Sequence, residues 1–149
     1  MTKYYEDYAV GDTWTFGERT VTKAEIIEFA EKYDPQPFHT DEEKAKETMF
    51  GGLIASGWHT AAVCMRLFVD NMLDEASQGA RGIETLRWIR PVRPGDTLSL
   101  TVEVVDKYPH EDSDQIGHVD TKLTAHNQND EAVVSWIGLG IIQRDPDRA

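Results

Sequence analysis

The sequence predicts an α+β fold in which an antiparallel sheet curves around one long central helix. Three observations lead there. The stretch from Ile54 to Leu73 is apolar on most of its circumference, as Trp58, Ala61, Val63, Cys64, Met65, Leu67, Phe68, Val69 and Met72 show; a helix of that composition is surrounded rather than laid on a surface. After Gly82 the hydrophobic period becomes two, giving four strand-like segments joined by short polar links. The chain has 149 residues, 40% of them hydrophobic, the size of one globular domain, expected over residues 1–149. A domain of this length hides about 68–70% of its unfolded surface, so its core needs no disulfide or structural metal.

The elements follow in order. Val10 to Phe16 reads as a short strand with a turn at Gly11 and Asp12. Thr22 and Glu25 make a capping box for a helix whose apolar face carries Ile26, Ile27, Phe29, Ala30 and Tyr33, and Pro35 ends it. Asp34 to Phe38 holds two prolines and is expected to be a stiff, non-helical connection. Thr40 and Glu43 form a second capping box for a short helix to about Thr48. Gly51, Gly52 and Gly57 mark the entry to the central helix, with Ser56 as its N-cap. Ile83 to Arg90, Thr97 to Val105, Ile116 to Ala125 and Ala132 to Ile142 are the strands, read as a consecutive meander. The final DPDRA is expected to fray.

Charge and cysteine usage narrow the function. Asp and Glu number 27 against 15 Lys and Arg, a formal charge of −12, which repels nucleic acid and anionic lipid. A single cysteine, Cys64, excludes an intrachain disulfide and any cysteine metal cluster. No signal peptide or membrane-spanning run is seen, so a cytoplasmic location is the expectation. His110, His118 and His126 match no compact ligand spacing, and neither a metal nor a cofactor is expected. Four of the eight arginines lie between Arg81 and Arg93. Arg87 and Arg90 differ in parity and leave a regular strand from opposite faces, whereas Arg90 and Arg93 flank Pro91 and could meet an anionic ligand or bridge to surface acids.

Three segments carry a family resemblance: YDPQPFHTDEEKA, FGGLIASGW and RPVRPGDTL. In this arrangement, with Asp34, Pro37, Phe38, His39 and Asp41 at its most specific part, the chain resembles the MaoC-like dehydratases, hot dog domains that include the (R)-specific enoyl-CoA hydratases. An aspartate and a histidine in a proline-braced loop can hold one water, deprotonate it and return a proton. The resemblance implies that role for Asp34 and His39, in reversible hydration of a trans-2-enoyl thioester to the (R)-3-hydroxyacyl thioester. It implies the Gly57 N–H as donor to the thioester oxygen, since the first turn of a helix has unpaired N–H groups and a favourable dipole. Ser56, Trp58, Arg90 and Arg93 are candidate substrate contacts, and the implied ligand is an acyl-CoA or acyl carrier protein thioester. Met65 stands where well-known members carry a serine supporting the site. His59 is expected to pack or to stand at the entrance rather than act as a second base, Cys64 to be inert, and Met65, Phe68 and Met72 to fill core or line an acyl pocket. Thioester hydrolysis and noncatalytic acyl binding are the alternatives. A homodimer or an assembly of dimers is expected, since the sheet would otherwise expose an edge.

Overall fold

The structure, a computed structural model, describes residues 1–148. A 3-10 turn at Tyr5–Asp7 precedes strand β1 (Thr13–Thr20), helix α1 (Lys23–Tyr33), the short helices α2 (Pro37–Thr40) and α3 (Glu42–Ala45), and the central helix α4 (Gly57–Asn71). Four long strands follow, β2 (Ser77–Trp88), β3 (Thr97–Pro109), β4 (Ile116–His126) and β5 (Ala132–Gln143). All pairings are antiparallel, and the sheet order is β1-β3-β4-β5-β2. This is the predicted hot dog arrangement, with α4 cupped by the sheet.

The core is built by two periodicities meeting. Leu98, Leu100, Val102 and Val104 alternate along β3 and are fully buried, while Thr97, Ser99 and Thr101 are half-buried and Glu103 is exposed. They meet Val63, Cys64 and Leu67 of α4 and Leu123, Ala125 and Trp136 of the sheet. Burying one such aliphatic side chain contributes about 1.5–3 kcal/mol. Burial also pushes the Cys64 thiol up to about 12, which leaves it protonated and inert as expected.

Several expectations need correction. Only β3, β4 and β5 form a meander; β2 lies on the far side of β5. The link from Ile89 to Asp96 is therefore a crossover rather than a hairpin. Eight residues at about 3.3 Å each can span the roughly 14 Å of three strand spacings, so length alone does not distinguish the two routes. Val92, buried at 2% exposure, fixes this link against the core. The central helix starts at Gly57, because Ile54 N–H donates to Phe38 O (3.0 Å) and Ala55 N–H to Val92 O (2.8 Å), which holds the approach extended. Nor is the helix surrounded: Met65 and Val69 are each 45% exposed. Pro37 begins a helical turn instead of a non-helical link, its missing N–H costing nothing at the first position. The second cap is Asp41, whose carboxylate accepts from the N–H groups of Glu43 and Lys44, while the Thr40 hydroxyl donates back to Gln36 O. At the C-terminal end, Asp145 N–H donates to Glu6 and Arg148 pairs with Asp7 and Asp145, which ties down most of the DPDRA segment; Ala149 lies outside the described residues. No helix among the described residues is long and apolar enough to cross a membrane.

Candidate active site

Asp34 and His39 are brought together by the end of α1 and the single turn of α2. Asp34 is the C-cap of α1, its N–H bonded to Ala30 O. The two prolines then carry the chain so that the His39 ring comes back under it. His39 is buried, and its Nδ1 lies 2.7 Å from Ile54 O. A carbonyl can only accept, so Nδ1 carries the proton and Nε2 has its lone pair free in the neutral ring. Nε2 faces Asp34 Oδ2 at 3.3 Å. At that separation the two atoms share a proton directly when the ring is protonated and can both contact one water when it is neutral, so the pair holds the groups that general acid–base chemistry needs.

Asp34 is held as a carboxylate. Burial raises its pKa, but hydrogen bonds from the Ser56 hydroxyl (2.7 Å to Oδ2) and the Gln36 amide (2.7 Å to Oδ1) outweigh burial, a protonated His39 acting in the same sense, and hold it below the ordinary carboxylate value. Ser56 is fully buried and makes no side-chain cap bond. Its hydroxyl is spent on Asp34, so it does not reach into the cavity as a substrate contact or serve as the expected capping group. Met65, which stands where the resemblance implies a supporting serine, is half-exposed and borders a second cavity rather than the one beside the pair.

A cavity of about 520 Å³ opens beside the pair, bounded by Phe38, Phe50, Gly57, Trp58, Thr60, Trp88 and Arg90 among others. Gly57 is the first residue of α4, where an N–H has no intrahelical acceptor. A Cβ on Gly57 would come within 2.3 Å of the Trp88 ring. The space is thus filled by the chain's own indole, and glycine is required there by packing as well as by any approaching ligand. Trp58 meets Trp88 edge to face with ring centroids 5.2 Å apart. Sequence reasoning missed Trp88, because its inward direction depends on an irregularity of β2.

Arg90 and Arg93 are both tied to their own chain. Arg90 donates to Ala132 O (3.1 Å) and lies 3.5 Å from Glu131, and Arg93 donates to Phe50 O (2.6 Å). Arg90 borders the cavity and Arg93 braces its Phe50 edge. His59 is buried and stacked on Phe29 at 4.9 Å, away from the pair, which is the packing role expected of it. His110 and His118 share a hydrogen bond of 2.9 Å, but no group of three or more His, Cys, Asp or Glu suited to a metal occurs among the described residues. The second cavity, about 170 Å³, is apolar and lies between α4 and the sheet, bordered by Met65, Phe68, Met72, Trp136, Gly138 and Gly140.

Comparison with known proteins agrees with this architecture. A family model described as MaoC like domain matches residues 7–129. The uncharacterized protein YdeM of Bacillus subtilis is 33% identical over 130 residues, covering 86% of this chain and 90% of that protein. An (R)-specific enoyl-CoA hydratase of Rhodospirillum rubrum is 31% identical over 110 residues, 71% of this chain and 72% of the other. The crystal structure of a MaoC-like dehydratase from Rhodospirillum rubrum superposes with a TM-score of 0.90 at 39% identity, covering 96% of this chain and 98% of that one. Matching sequence along most of its length and matching the sheet wrapped around α4, the chain belongs to the MaoC-like domain family and has its hot dog fold.

Proposed function

We propose that this protein is a lyase that adds water to a trans-2-enoyl thioester, giving the (R)-3-hydroxyacyl thioester, and removes it in the reverse direction. The observation that carries the reading is the fixed tautomer of His39: its Nδ1–H is committed to Ile54 O, which aims a basic Nε2 at Asp34 beside an open cavity. The similarity to an (R)-specific enoyl-CoA hydratase supports the substrate class.

In this reading one water is held by both Asp34 Oδ2 and His39 Nε2, at the apex above their 3.3 Å separation. Nε2 takes one proton as the water oxygen bonds to C3, and the C2–C3 π pair shifts to give an enolate on the thioester. The Gly57 N–H, with the N-terminal dipole of α4, stabilises that oxygen. The imidazolium then returns the proton to C2 from the same face, so H and OH of one water are added and the enzyme is unchanged. Asp34 holds the second water hydrogen and the imidazolium charge. The CoA or acyl carrier protein moiety lies toward Arg90 and Arg93, and the acyl chain toward the apolar cavity at Met65. Loss of the conjugated thioester absorbance tests the proposal: Asp34→Asn and His39→Ala should each abolish it in folded protein, and full activity in either would remove the mechanism. We further propose a homodimer through the β2 edge, where Ile83 is exposed, and the face of α4 that exposes Met65 and Val69; sedimentation as a monomer at micromolar concentration would refute that assembly.

A further inference from the structure

Thr85 is an exposed, β-branched residue in β2 with φ 52, where threonine is a genuine outlier. It lies at a register shift. Glu84 stands opposite Ile137, whereas Arg87 stands opposite Ser135, so Thr85 and Leu86 together face the single residue Trp136, as in a β-bulge. The consequence is a change of face. In unbroken register Trp88 would oppose Val133 and point to the convex side; with the extra residue it opposes Val134 and points to the concave side. It arrives against Gly57, meeting Trp58 at the mouth of the Asp34–His39 cavity. Thr85 is itself exposed, and what the bulge accomplishes is the delivery of Trp88 to the site. The two indoles remain half open, with Trp58 57% and Trp88 45% exposed, and Arg90 borders the same cavity.

We propose that Trp58 and Trp88 form a stacking site for a flat, π-bonded group of the ligand and are specificity-determining residues of this site. The identity of the ligand as an acyl thioester rests on the hydratase reading above. Paired indole faces and edges favour such groups over saturated chains, and the adjacent guanidinium suits an anionic carrier. The flat group has two possible sources with one chemistry: the adenine of a nucleotide carrier, or an aryl group on the acyl chain.

The test uses four saturated thioesters, butanoyl and 3-phenylpropanoyl, each on CoA and on N-acetylcysteamine, with binding measured by calorimetry. Stacking on one aromatic residue predicts that Trp58→Ala weakens ligands bearing the stacked group about tenfold, and that Trp58→Phe restores them to within about threefold. An adenine source weakens both CoA esters and spares both N-acetylcysteamine esters. An aryl source weakens both phenylpropanoyl esters and spares both butanoyl ones. Equal loss for all four, loss for none, binding of none by the unaltered protein, or a changed sedimentation mass in the variant would overturn the proposal, the last by assigning the pair to an interface. Saturated esters cannot be hydrated. Binding with the expected pattern in a protein without turnover would therefore retain the stacking site and discard the hydratase reading, whereas turnover with no tryptophan effect would do the reverse.

Discussion

Replacing Ser56 by alanine isolates the contact on which the charge of Asp34 depends. The hydroxyl donates to Oδ2 over 2.7 Å from a residue with no exposed surface, and the Asp34 side chain is 18% exposed, so solvent replaces little of what is lost. A hydrogen bond to a charged group in such surroundings contributes about 1.5–3 kcal/mol. If that stabilisation holds the carboxylate in its reactive position, kcat/KM should fall by about tenfold to a hundredfold at neutral pH, since 1.36 kcal/mol corresponds to a factor of ten. The Asp34 pKa should also move upward, because the Ser56 bond is the largest of the contributions that lower it, and the acid limb of the activity profile should follow. The assay is disappearance of the enoyl thioester across pH, with thermal melting to confirm folding. Wild-type rate and an unmoved acid limb in folded Ser56→Ala protein would refute the role given to this bond.

Two further outcomes are expected. Gly57→Ala should lower stability by about 1–3 kcal/mol, the usual cost of overpacking, because its methyl group meets the Trp88 ring at 2.3 Å; Trp88→Ala in the same chain should recover part of that loss in a denaturant titration, and additive losses would refute the contact. Stability should also decline as pH falls below 6.5, the ordinary histidine value. Burial disfavours the charged form of His59, Arg19 adds to this, and Glu25 opposes it without reversing it, so the folded state takes up this proton later than the unfolded chain. The contribution is thus complete above the unfolded pKa and is lost below it. His118, also shifted downward, mainly by burial, acts in the same sense. His59→Phe keeps a ring stacked on Phe29 and removes one of these protons, so the decline of Tm on acidification should become shallower; an unchanged slope would contradict the assignment.

Much of the site was legible because its chemistry is local in sequence. Asp34 and His39 are five residues apart, and two prolines leave their loop little freedom. The central helix was legible from its composition, and the strands from their period. What escaped the sequence depends on long-range pairing. Ser56 before a helix reads as an N-cap because its actual partner, Asp34, is 22 residues away. Trp88 faces the site only through an inserted residue in β2, and period-two reasoning assumes an unbroken register. The order of the sheet was missed because the segment after Trp88 is long enough for either a hairpin or a crossover. The net charge of −12 describes the surface at large; Arg90 on the cavity lining and Arg93 behind Phe50 stand against that field, partly engaged by the chain's own carbonyls and by Glu131.

The most direct test of the central claim is the mass of the product formed from a trans-2-enoyl thioester. The mechanism predicts a gain of one water with the thioester intact, in the wild-type protein and not in Asp34→Asn or His39→Ala. Release of free thiol would show that the water attacks the carbonyl instead of C3, and an unchanged substrate mass would show that the Asp34–His39 pair does not activate water for this reaction.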